Sequence, residues 1–166
     1  MIVLGVDPPN GWAVVDGDKL LGSAHWPKGV PDSRLAREIR VAVGSALKAG
    51  AEVLAIEGQW IEWRGSVPAK QRAGMGRSAL VTAGHRGMWV QEWLRQSDGA
   101  PVEVLQPEAW RKPVLGTKGP KDRDARKDQA IRFMSALYGV KLSEDEAEAV
   151  GIARCVSISL RNVKKP

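Results

Sequence analysis

Residues 2–16 read Ile2-Val3-Leu4-Gly5-Val6-Asp7-Pro8-Pro9-Asn10-Gly11-Trp12-Ala13-Val14-Val15-Asp16. An apolar run ends at an acid, Pro and Gly punctuate a turn, and a second apolar run follows. Asp16-Gly17-Asp18 is a hairpin signal, and Lys19 to Trp26 supplies a third strand. The chain therefore opens as an antiparallel meander. Glu52-Val53-Leu54-Ala55-Ile56-Glu57 is a further apolar strand that ends in an acid, and Val102 to Leu105 is a strand after Pro101. Helices lie between and after these strands. Asp32 or Ser33 caps one that runs to Lys48, with Leu35, Ile39, Ala42, Val43 and Ala46 on one face. Others are expected over Gly76–Gln96, Lys121–Tyr138 and, capped by Ser143, as far as Leu160. Residues 58–75 and 106–120 read as loops, the second with at most a short helix, and 161–166 as a frayed basic tail. This order implies an α/β fold: a mixed five-stranded sheet, antiparallel in strands 1–3 and then helix-linked, flanked by helices.

Composition narrows the function. The 166 residues fit one domain, 1–166, and a hydrophobic fraction of 43% excludes a wholly disordered chain. No apolar run approaches the roughly 18–20 residues of a membrane span. No basic region precedes the first strand, so no signal peptide is expected and the protein is read as cytoplasmic. Cys155 is the only cysteine, and His25 and His85 are the only histidines, which excludes a disulfide framework and argues against a Cys/His zinc site. The net charge of +6 is concentrated in two segments, one with Arg64, Lys70, Arg72, Arg77 and Arg86, the other with Arg111, Lys112, Lys118, Lys121, Arg123, Arg126, Lys127 and Arg132. Two such segments on a small domain point to a polyanionic partner, nucleic acid above all.

The acids are the sharper signal. Asp7 and Glu57 each close a strand that is apolar on both faces, where an unpaired charge is costly. The last helix begins Ser143-Glu144-Asp145-Glu146-Ala147-Glu148. Glu144 and Glu146 are explained by capping and the helix dipole. Asp145 and Glu148, spaced i and i+3, share the face that continues through Ala149, Ile152 and Val156 and so turns inward. Small Ala147, Ala149 and Gly151 allow close approach to the sheet. Four convergent carboxylates without a Cys/His cluster favour hard, oxygen-ligated cations, Mg²⁺ or Mn²⁺, and two such ions suit phosphodiester hydrolysis.

Several local segments share a pattern with one family. Ile2-Val3-Leu4-Gly5-Val6-Asp7-Pro8, Leu54-Ala55-Ile56-Glu57, Ser78-Ala79-Leu80 with Gly84-His85-Arg86-Gly87, Val114-Leu115-Gly116 followed by Ala125-Arg126-Lys127-Asp128-Gln129, and Asp145 to Ala153 occur in order. In these the chain resembles the RuvC-type Holliday junction resolvases, whose fold is ribonuclease H-like. The resemblance implies that Asp7, Glu57, Asp145 and Glu148 are catalytic metal ligands and that Lys127 is a functionally important lysine. Arg111 or Lys112 lies near a second basic position of the family. Trp60 stands where the family has an aromatic that stacks on a junction base. Trp60, Arg64, Lys70, Arg72, Arg77, Arg111, Lys112, Lys118, Lys121, Arg126 and Lys127 are thus the expected DNA contacts. The implied protein is a homodimer acting on branched DNA, four-way junctions above all, with Mg²⁺ or substituting Mn²⁺, two ions per site, and no membrane or small organic cofactor. Glu148 stands where the family has Asp, and its extra length implies a shifted ion or a helix set back from the sheet. Trp89 and Trp93, i and i+4 beside Leu80, fit core or a subunit interface equally. A less selective flap or RNA–DNA hybrid nuclease, or a non-catalytic junction binder, is the alternative.

Overall fold

The structure, a computed structural model, describes residues 1–8, 10–58, 69–106 and 108–163, with 69–79 and 163 as backbone only. Three strands open the chain: β1 (Ile2–Asp7), β2 (Gly11–Asp16) and β3 (Lys19–His25). Then follow α1 (Asp32–Lys48), β4 (Ala51–Glu57), α2 (Ala69–Gln96) and β5 (Val102–Leu105). Three helices close it: α3 (Arg111–Leu115), α4 (Arg123–Tyr138) and α5 (Glu144–Val163). The strands form one sheet in the order β3-β2-β1-β4-β5. β1–β2 and β2–β3 pair antiparallel, whereas β1–β4 and β4–β5 pair parallel. This is the mixed sheet that the residue order implies.

Strand pleat decides which side chains meet which helices, because successive residues alternate between faces. Val3, Ala13, Val15, Val53 and Ala55 pack on one face against residues of α4 and α5, including Ala130, Met134, Ala149 and Ile152. Leu4, Val6, Val14, Leu54 and Ile56 pack on the other against Leu35, Ile39 and Val43 of α1 and Trp89 and Trp93 of α2. Asp7 and Glu57 continue the odd-numbered series of their strands. Both are therefore carried to the α5 face, and the parallel register of Val6 with Ile56 sets them side by side.

α5 lies close on that face. A Cβ at Gly5 would come within 2.7 Å of the Ala153 backbone nitrogen, and one at Gly11 would meet the backbone of Asp145. Gly5 and Gly11 thus let a helix rest on β1 and β2 at a distance no side chain would permit. The helix is not set back to make room for Glu148. Gly151 does not face the sheet as expected: a Cβ there would lie 2.5 Å from Trp110 Cζ3, so this glycine makes room for a buried indole.

Other expectations are revised. α2 begins at Ala69, so residues 69–75 are helical and not loop. α4 begins two residues later than expected, at Arg123 behind an Asp122 side chain that caps Ala125 N–H at 2.8 Å. Of the expected tail, residues 161–163 extend α5, with Arg161 3.9 Å from Asp16, and 164–166 lie outside the described residues. Trp89 and Trp93 are fully buried within the chain, which settles them as core, while Leu80 is 71% exposed and leaves their stripe. Asp32 is the first helical residue of α1 and makes no cap. It instead lies 3.2 Å from Nε2 of His85, whose side chain is largely buried against α1. No helix among the described residues is long and apolar enough to cross a membrane.

Candidate metal centre

Asp7, Glu57 and Glu148 each offer a carboxylate oxygen within 4.8 Å of the others. They come from β1, β4 and α5, so the cluster exists only in the folded chain. Burial raises the Asp7 carboxyl well above its ordinary value, and the charges of Glu148, Glu57 and Asp145 raise it further. Burial also raises Glu57, although hydrogen bonds from the Glu108 backbone and Asp7 counter part of the effect. Glu148 is pushed up to about 7, by burial first and by Glu57 second, against the pull of Arg111. These shifts share one cause: like charges are crowded where water cannot screen them.

Asp145 stands beside this triad and not within it. Its backbone sits over Gly11, its charge acts on Asp7, and its own carboxyl is raised by burial and by Glu144. The sequence reading of four convergent acids therefore becomes three in contact with a fourth adjoining. The donor set fits a hard divalent cation. It is all oxygen, as Mg²⁺ and Mn²⁺ require. A Mg–O distance of about 2.1 Å places two oxygens on one ion at most roughly 4.2 Å apart, so small side-chain rotations suffice.

The neighbouring cations are unequal. Arg111 was expected at the DNA surface, but it is 2% exposed. Its guanidinium donates to Glu148 Oε1 at 3.0 Å and to the Arg126 carbonyl at 3.0 Å, and it lies over the Trp110 ring at 4.8 Å. Its charge is engaged inside the protein because a buried carboxylate at that point demands a partner. Arg126 is likewise occupied, with Glu108 at 3.0 Å and the carbonyls of Pro120 and Lys121. Lys127 is mostly buried and paired with Glu144. Lys112, Lys118 and Lys121 are exposed, and Lys112 and Lys118 line one cleft with Gln106 and Glu108. Lys70, Arg72 and Arg77 fall on the backbone-only part of α2. Trp60 and Arg64 lie outside the described residues.

The sequence reading missed three supports. Glu108 N–H donates to Glu57 Oε1 at 3.3 Å, and no sequence signal marks it. Arg111 pairs with an acid 37 positions away. Glu146 completes a capping box with Ser143, as expected, but it also accepts from Ser23 at 2.8 Å and lies 3.3 Å from His25 Nδ1, which ties α5 to β3.

A central β1 flanked by an antiparallel hairpin and two parallel strands, with helices on both faces, is a ribonuclease H-like α/β fold. Within that class the fold is RuvC-like. The structure of RuvC from Thermus thermophilus superposes with a TM-score of 0.64 at 19% identity, over 98% of this chain and 97% of that one. T. thermophilus RuvC in complex with a Holliday junction substrate superposes with a TM-score of 0.64 at 15% identity, over 99% and 97%. No family model and no curated protein matches the sequence.

Proposed function

We propose that this chain is a structure-selective DNA endonuclease that resolves four-way junctions by paired, metal-dependent phosphodiester hydrolysis, leaving 5′-phosphate ends. The observation that carries the reading is the half-buried triad of Asp7 and Glu57, at two strand ends, and Glu148 of α5 in a RuvC-like fold. The likeness to a protein captured with a Holliday junction substrate supports the choice of DNA. The activity belongs to DNA recombination and repair. Two active sites, one on each subunit of a homodimer, suit a substrate with two strands to cut.

Two divalent cations, Mg²⁺ with Mn²⁺ as substitute, would be held by Asp7, Glu57, Glu148 and the adjoining Asp145, and would supply Lewis-acid activation of water and of the leaving oxygen. The protein's part is placement. The parallel register of β1 and β4 fixes Asp7 against Glu57. Arg111 holds Glu148 toward them and offsets part of their negative charge. Lys127, steadied by Glu144 at the start of α5, offers a cation for the scissile phosphate. Lys112, Lys118 and Lys121 offer exposed charge to the DNA backbone, and Trp60 offers a stacking face to an unpaired base.

Competition among a labelled four-way junction, a flap, an RNA–DNA hybrid and a linear duplex, in Mg²⁺, tests the substrate. Symmetric paired cuts in the junction, with the other substrates spared, are expected. Equal cutting of flap or hybrid would replace the reading with a less selective nuclease, and tight junction binding without cutting would replace it with a binding protein.

A further inference from the structure

Glu108 sits in the turn between β5 and α3 with φ at 61°, a left-handed backbone that side chains other than Asn and Asp seldom adopt. Among the described non-glycine residues only Asp98, just after α2, shares a positive φ. The left-handed turn at Glu108 brings its N–H to Glu57 Oε1, 3.3 Å away. The Glu108 carboxylate meets Arg126 Nε at 3.0 Å. Arg126 is itself fixed, donating to the Lys121 carbonyl at 2.8 Å and the Pro120 carbonyl at 3.2 Å. A chain of contacts thus runs from the segment before α4, through Arg126 and Glu108, to the acid that closes β4. The Glu108 carboxylate also lines the cleft shared by Lys112 and Lys118. An acid there opposes a polyanion, so its contribution is not to phosphate binding.

We infer that Glu108 is a positioning residue: Arg126 anchors its carboxylate, the anchor holds the left-handed turn, and the N–H of that turn fixes one oxygen of Glu57 so that the other faces Asp7 and a bound cation. The inference rests on the reading of the acidic triad as a metal site. A hydrogen bond to a ligating carboxylate orients the ligand, and its loss typically weakens metal affinity by about 10- to 100-fold.

Calorimetric titration of the full chain with Mn²⁺, paired with melting curves in EDTA, tests it. Glu108→Ala and Arg126→Ala should each weaken Mn²⁺ binding about tenfold. The double variant should bind no more weakly than either single one, because both break the same chain of contacts. Glu108→Asp, which keeps a carboxylate charge for Arg126 and tolerates the positive φ, should stay within about threefold of the wild type, a recovery that a merely structural loss would not give. Should Glu108→Ala melt early in EDTA, Glu108→Gly carries the test: it takes the positive φ without strain, keeps the fold, and should still bind Mn²⁺ more weakly than wild type. Wild-type affinity in Glu108→Ala or Glu108→Gly, or losses that simply add in the double variant, would overturn the inference and leave the metal site standing. A wild type that binds no Mn²⁺ would overturn both.

Discussion

At the hairpin end of the sheet, carboxylates meet cations. Asp18 lies 2.8 Å from Arg154, and Asp16 lies 3.5 Å from the terminal amine and 3.9 Å from Arg161. The hydrogen bond and charge of Arg154 hold the Asp18 carboxyl below its ordinary value. At the opposite end, where β1 and β4 finish, Asp7 is half-buried among other acids and all three carboxyls of the triad are raised. The first turn of α5 repeats the contrast within a few residues. Burial pushes Glu146 up, but hydrogen bonds from Ser143 and Ser23 outweigh it and leave the group below its ordinary value, whereas Asp145 and Glu148 stay raised. The chain satisfies an acid where the acid only ties elements together. It leaves acids under-paired where, on the proposed reading, a cation from outside would be held. Frustration of this kind is a physical mark of a functional site.

The largest effect expected from breaking this contrast is on cleavage. Asp7→Asn removes the acid that all the others influence and should lower junction cleavage about a thousandfold, equivalent to about 4 kcal/mol at roughly 1.4 kcal/mol per decade. Single-turnover rates check it, with junction binding retained. Next comes Arg111→Met, which strips Glu148 of its buried partner. A loss of about 3 kcal/mol in folding stability is expected at pH 8, and less at pH 6, where Glu148 escapes its charge by taking a proton. Denaturant midpoints at the two pH values check it.

A smaller effect separates the two ends by the sign of their pH dependence. Glu148 has a raised folded pKa, so its contribution is fully present below its unfolded value and is lost as pH rises through about 7. Metal-free protein should lose on the order of 2–3 kcal/mol across that window. Asp18 has a lowered pKa, so its small contribution is present above its unfolded value and is lost as pH falls. Asp18→Asn should therefore flatten only the acid limb of a stability profile measured in EDTA, while Glu148→Gln should flatten the limb near pH 7.

Much of this was legible in the residue order. An apolar run that stops at Asp7, and another at Glu57, places two acids at strand ends, and pleat parity carries both to one face. The i, i+3 spacing of Asp145 and Glu148 gives the helix its inward acids. What the order did not reveal has physical reasons. The pairing of Arg111 with Glu148 and of Arg126 with Glu108 depends on how loops fold back, and a cation in a basic segment looks the same whether it is spent inside or free outside. Glu108 acts through its backbone, which leaves no trace in residue type. α2 begins at Ala69 despite the glycines at 74 and 76, which weaken a helix and blur its periodicity. Whether Trp89 and Trp93 were core or interface turned on which face of α2 meets α1, a matter of tertiary packing.

Melting temperature in EDTA and in saturating Mg²⁺, for the wild type and Asp7→Asn at pH 8, addresses the under-paired acids most directly. The account predicts that Asp7→Asn melts higher than wild type in EDTA, because the group whose ionisation its neighbours and its burial oppose is gone, and that Mg²⁺ raises the wild type far more than the variant. A variant that melts lower in EDTA, with neither protein responding to Mg²⁺, would contradict it.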